Sequence, residues 1–145
     1  MTAAVSDTMH VVVYQPPILP GRATLTLTWR DNDPYRVDAD ITTRAGTTRW
    51  TIGWELLHTG LHRPAGIGDI QLGPIPNRGM HWIWFDNGQQ PFKLKVPSNP
   101  LHAFMADVQA VWTDRHVGHA LDRWIEQALY RRPAPPPPAL SLIHI

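Results

Sequence analysis

Residues 23–29 alternate without a fault: Leu25, Leu27 and Trp29 fall on one side, Thr24, Thr26 and Thr28 on the other. A two-residue period is that of a β-strand with one dry face and one wet face. A helix would scatter the same apolar groups around its whole circumference. The pattern returns in residues 35–41, where Tyr35, Val37, Ala39 and Ile41 oppose Arg36, Asp38 and Asp40. It returns again in residues 48–53, where Trp50 and Ile52 share a face. Asp31-Asn32-Asp33-Pro34 and Ala45-Gly46 supply the turns between these runs, through side chains that bond their own backbone and a glycine. Before them, residues 10–14 form a short β-branched run that Pro16 and Pro17 halt. The first third therefore reads as an antiparallel meander, half buried.

Residues 54–59 (Trp-Glu-Leu-Leu-His-Thr) predict a short helix that Gly60 ends, followed by a glycine-punctuated loop over residues 60–68. Strands follow at residues 69–72, 80–85 and 92–96, the last two joined by Asp86-Asn87-Gly88, a hairpin signal. Asn99 as N-cap and Pro100 in the first turn open a helix. Its apolar stripe is Leu101, Phe104, Met105, Val108 and Trp112. A break near residues 113–118 is expected to lead into a second helix, with Leu121, Trp124, Ile125, Ala128 and Leu129 as its stripe and Pro133 as its stop. The fold class is α+β, with one domain over residues 1–132. Residues 133–145 form a proline-rich tail that has no core to pack. Its last six residues, 140–145, resemble the translation of a sequencing-library adaptor and are set aside from fold reasoning.

Composition excludes several chemistries. There is no Cys, which removes disulfides, thiolate nucleophiles and Cys-ligated zinc. Net charge is +1, too balanced for a strong electrostatic footprint over the whole chain. No basic region followed by an apolar run opens the chain, and no apolar stretch approaches a membrane span. The chain reads as cytoplasmic. The eight His include the pairs His58/His62 and His116/His119, neither with a matching third ligand, so no metal is expected. Only Ser6, Ser98 and Ser141 are available as serine nucleophiles, and none sits in a GxSxG elbow. Asp38 and Asp40 share a strand's wet face, which alternation alone accounts for. No catalytic residue and no cofactor are expected, and the chain reads as non-enzymatic.

Two stretches carry a resemblance. One is Asp33-Pro34-Tyr35-x-Val37-x-Ala39. The other runs Leu56-Leu57-His58-Thr59-Gly60-Leu61-His62-Arg63-Pro64-Ala65-Gly66-Ile67-Gly68-Asp69-Ile70. With Trp50 between them, they resemble the SsgA-like family of filamentous, spore-forming actinobacteria, over roughly residues 9–129. The resemblance implies a Whirly-like barrel or sandwich of antiparallel strands, with a short mid-chain helix and two C-terminal helices. It implies no catalytic site. It implies a homo-oligomer, often a trimer, acting in septum-site selection, septal assembly or spore-wall maturation. It further implies recruitment to division septa, with the tubulin-like division protein FtsZ or other SsgA-like and divisome proteins as partners.

Two candidate sites follow. In the loop over residues 60–69, His62, Arg63 and Asp69 are the candidate partner-binding residues, with His62 and Arg63 at the edge and Asp69 placed to pair Arg63. Trp82 and Trp84 point the same way from a strand whose other face, Ile83 and Phe85, is apolar too. One face goes to the core, and the other meets a helix or another subunit, for which aromatic residues such as Trp82 and Trp84 are suited. Base stacking by these rings would need a basic groove, for which Arg36, Arg44, Arg49, Lys93 and Lys95 are candidates. The net charge speaks against nucleic acid as the main partner.

Overall fold

Hydroxyls and apolar groups sort themselves across the first hairpin. The structure, a computed structural model, describes the backbone of residues 3–129 and the side chains of residues 3–113. β1 (Ala4–Gln15) pairs antiparallel with β2 (Ile18–Arg30), so that Met9 faces Leu25 and Val11 faces Ala23, all four buried. On the other face Ser6 bonds Thr28 at 3.1 Å and Thr8 bonds Thr26 at 2.8 Å, hydroxyl to hydroxyl. β3 (Asp33–Thr43) and β4 (Gly46–Gly53) complete the meander. Strand β1 starts well before the expected residue 10. Its early half carries Asp7 at an inward position opposite Leu27, and that carboxylate hides the alternation.

β5 (Ile70–Ile75), β6 (Met80–Phe85) and β7 (Phe92–Pro97) form a second meander. β7 joins β1 through Val12–Lys95, Val13–Leu94 and Tyr14–Lys93, giving one seven-stranded antiparallel sheet in the order β4-β3-β2-β1-β7-β6-β5. The sheet curls. Trp50 on edge strand β4 lies 4.9 Å, ring to ring, from Phe85 on β6 and 6.0 Å from Phe92 on β7. Strands at opposite ends of the order can touch only if the sheet rolls towards a half-barrel, the direction in which strand twist already bends it. Leu25, Leu27, Trp29, Val37, Ile52, Leu72, Ile83, Phe85, Leu94 and Val96 fill its inner face.

α1 (Trp54–Gly60) links β4 to β5 and packs on β3, β4 and β5. Gly60 is the last residue of this helix, as expected, but it does not adopt a positive φ. It is buried within the helix, and a Cβ there would run into the Leu72 side chain. Close packing fixes this glycine.

The expected pair of C-terminal helices is one. α2 runs from Ser98 to Leu129 through residues 113–118. No proline lies between Pro100 and Pro133, and a single interior glycine such as Gly118 costs only about 1 kcal/mol. That is too little to force a break. The chain divides into two compact units, with the boundary inside α2 after Met105. In the first unit Leu101, Phe104 and Met105 are buried, and in the second Val108 and Trp112 are, as the stripe requires. The side chains of the second stripe, Leu121 to Leu129, and the tail of residues 133–145 lie outside the described residues.

Asp38 departs from its expected solvated place. It points to the outer face but is only 2% exposed, because Arg30 (2.8 Å) and Arg36 (3.0 Å) close over its carboxylate. Burial pushes this carboxyl up, and the two guanidinium hydrogen bonds outweigh it, so its pKa lies below the ordinary 3.8. The unfolded chain therefore takes up a proton before the folded one does as pH falls. The contribution of Asp38 to stability is whole above 3.8 and is lost as pH drops through the folded value. Asp38→Asn is expected to cost about 1–2 kcal/mol at neutral pH, the value of charge-assisted bonds discounted for the half-exposed arginines. Denaturant melts of the variant should also show a flatter acid limb than the wild type.

Candidate functional site

α1 turns sharply at its end. Leu61 N–H donates to Leu57 O at 3.2 Å, and the N–H groups of His62 and Arg63 both donate to Thr59 O, at 3.1 and 3.2 Å. His58 and His62, four residues apart, thus end on one side with rings 6.1 Å apart, and Trp54 stacks on His58 at 6.0 Å. His102, in the second turn of α2, brings its ring 6.1 Å from His62 and 5.6 Å from His81 of β6. Four histidines from four segments therefore form a chain of ring contacts. The sequence showed the His58/His62 pair through its spacing. His81 and His102 carry no local signal, because only tertiary folding brings them there.

His81 is 2% exposed and fully bonded. Its Nε2 lies 2.8 Å from Leu61 O, and its Nδ1 lies 2.7 Å from Ser98 Oγ. A carbonyl only accepts, so Nε2 carries the proton and Nδ1 accepts from the Ser98 hydroxyl in the neutral ring. This His–Ser contact faces a backbone carbonyl rather than a carboxylate, and it ties β6 to α1 and to the start of α2. Among the described residues no group of three or more His, Asp or Glu is disposed to hold a metal ion.

Burial pushes the His102 pKa below 6.5, and the neighbouring His81 and His62 add to the effect. Between 6.5 and the folded value the unfolded chain binds more protons, so acidification favours unfolding. The melting temperature is expected to fall as pH drops below 6.5, and His102→Gln should remove part of that fall. An identical slope in the variant would show that the cluster does not couple to folding.

The loop after α1 is pinned to the free edge of β5. Ala65 N–H donates to Leu72 O at 2.8 Å, and Leu72 N–H donates back to Ala65 O at 3.0 Å. Gly66 sits at φ 98°, where an added Cβ would strike the Ile70 carbonyl. His62 and Arg63 stand exposed side by side, and Ile67 at the tip is 96% exposed. Asp69 is exposed as well, but it forms no ion pair with Arg63 among the described residues. Its carbonyl instead accepts from Asp86 N–H at 2.8 Å, which anchors it to the end of β6. The loop thus keeps His62 and Arg63 side by side, and Asp69 is held apart from them at its far end.

On the outer face of the second meander, register aligns two rows. Gln71, Trp84, Lys93 and Tyr14 make one, and Gly73, Trp82, Lys95 and Val12 the other. Ile83 and Phe85 are buried on the inner face, while Trp82 and Trp84 are half-buried. The two tryptophans, with Gln71, Ile75 and Lys93, line an open groove of about 490 Å³. The carboxylates of β3 offer no acid–base pair, since Arg49 holds Asp40 (2.7 and 3.0 Å) as Arg30 and Arg36 hold Asp38.

Both stretches that carried the resemblance lie inside a longer match. The family model described as "Streptomyces sporulation and cell division protein, SsgA" matches residues 23–114. The chain belongs to the SsgA family. Within the family it is 32% identical over 115 residues to the sporulation-specific cell division protein SsgB of Streptomyces coelicolor, covering 76% of this chain and 82% of that protein. It is 34% identical over 67 residues to SsgB of Frankia casuarinae, covering 43% and 47%. A solved structure, from work on SsgB mutations that correlate with longitudinal cell division during sporulation of Streptomyces coelicolor, superposes with a TM-score of 0.69. It is 27% identical and covers 77% of this chain and 90% of that one. The SsgA-like sporulation-specific cell division protein of Thermobifida fusca shares the fold, with a TM-score of 0.68 at 20% identity over 75% and 82% of the two chains. The SsgA-family match runs from β2 into α2 and takes in the 60–69 loop, while the superposition on the Streptomyces coelicolor structure extends the likeness to the fold. Among the described residues no helix is long and apolar enough to cross a membrane.

Proposed function

We propose that this chain is a non-enzymatic adaptor of sporulation-specific cell division that works through protein contacts at the septum. Membership of the SsgA family carries the reading, and the character of the exposed surfaces supports it. Trp82 and Trp84 offer aromatic area of the kind enriched at interface centres. His62 and Arg63 stand on a loop held rigid by Gly66 and by the Ala65–Leu72 bonds, which lowers the entropy lost on docking. The protein is cytoplasmic and is recruited to septa. It self-associates, as a trimer, through the Trp82/Trp84 face, and its partners are FtsZ or other SsgA-like and divisome proteins.

A second reading is a single-stranded nucleic-acid-binding module on a Whirly-like fold. It is favoured by one observation: Lys93 and Lys95 stand in register beside Trp84 and Trp82. Cations alternating with stackable rings suit a single strand. Affinity purification from sporulating cells separates the two. The adaptor reading predicts division proteins that co-purify unchanged after nuclease treatment. Tight, steeply salt-dependent binding of a labelled oligonucleotide, with no division protein recovered, would overturn it.

A further inference from the structure

The hairpin tip between β1 and β2 leaves apolar groups in water. Ile18 is 62% exposed and Leu19 85% exposed, with Pro17 and Pro20 exposed on either side of them. Behind the tip the outer face turns basic and aromatic. Arg22, Val12 and Lys95 lie in one cross-strand row, and Tyr14 and Lys93 in the next, with the Lys93 ammonium 5.8 Å from the Tyr14 ring centroid. These two lysines are the only ones in the chain. Neither they nor Arg22 pairs with a carboxylate among the described residues. By contrast, Arg30, Arg36 and Arg49 are all neutralised on the outer face of β2–β4 by Asp33, Asp38 and Asp40. Asp86, at the end of β6, accepts from the Gly88 backbone N–H. A net charge of +1 therefore hides a local segregation of charge.

We infer that the β1–β2 hairpin tip, with Arg22, Lys93 and Lys95 behind it, docks on an anionic lipid surface. Exposed aliphatic side chains ahead of a ring of cations and a tyrosine match the layers of a bilayer interface: acyl region, headgroups, charged water boundary. The strand rise places Arg22 about 13 Å behind Ile18, so sinking the tip about 5–10 Å into the interface brings the cations within a Debye length of headgroup phosphates. A nucleic acid would use the cations but gives Ile18 and Leu19 nothing to stack on. A cleft-bound peptide would need a concave site, whereas residues 16–22 of this tip are all exposed. Lys93 borders the Trp82/Trp84 groove as well, but Ile18, Leu19 and Arg22 lie outside it, so docking of the tip does not rest on self-association.

Co-sedimentation with vesicles tests it. The full chain should pellet with phosphatidylcholine vesicles that contain phosphatidylglycerol and stay in solution with phosphatidylcholine alone. Ile18→Ser with Leu19→Ser should weaken partitioning at least tenfold. Arg22→Gln with Lys93→Gln should weaken it about twenty-fivefold at low salt, fivefold per charge. All four positions are exposed, so both variants should keep the wild-type melting temperature. Failure of the wild type to bind anionic vesicles overturns the inference. So does binding that survives loss of Ile18 and Leu19. A short single-stranded oligonucleotide that competes through the cations alone would reassign the face to nucleic acid.

Discussion

Phe85→Ala is expected to lower stability by about 3–5 kcal/mol, the upper range for truncating a buried aromatic. Phe85 has no exposed surface. Its ring meets Trp50 at 4.9 Å and Phe92 at 5.0 Å, so it joins the edge of one meander to the heart of the other. Little around it can collapse into the gap, because Leu72, Ile83 and Leu94 beside it already fill the inner face. Guanidinium melts give the value directly. A loss below about 1 kcal/mol would mean that the sheet does not close on these three rings.

Replacing Trp82 and Trp84 together by Thr is expected to abolish self-association while leaving the fold intact. Thr keeps β-propensity and deletes the rings. Both residues lie on the face opposite Ile83 and Phe85, half-buried beside an open groove, so their removal spares the core. At an interface centre each ring accounts for about 2 kcal/mol, roughly thirtyfold in affinity. Size exclusion with light scattering decides the matter. A wild type that is monomeric at high micromolar concentration ends the trimer. A double variant that unfolds shows instead that the rings belong to the core.

Alternation made the sheet legible wherever one face was dry. Leu25, Leu27 and Trp29, then Val37, Ala39 and Ile41, all reach the interior that their spacing predicts, whereas in β6 both faces are apolar and only folding selects Ile83 and Phe85 for the core. Turn chemistry held too: Asp86 and Asn87 bond the N–H groups of Gly88, Gln89 and Gln90 in the β6–β7 loop. What stayed hidden is what folding decides at long range. Asp7 at an inward position masked half of β1, and Gly118 read as a break where a continuous helix tolerates it. Burial of Asp38 depends on two arginines folding over it from β2 and β3. The histidine chain needs β6 and α2 to meet the end of α1. In the candidate site, the sequence marked His62, Arg63, Trp82 and Trp84 by type and spacing. It paired Asp69 with Arg63 on proximity alone, where the backbone instead ties Asp69 to Asp86.

The most direct test of the septation account is to delete the gene in its native host and count septa in sporulating filaments by membrane and wall staining. In the deletion strain sporulation septa should be missing or misplaced, with vegetative growth unaffected and septa restored by the wild-type chain. Sporulation septa of normal number and spacing in the deletion strain would contradict it.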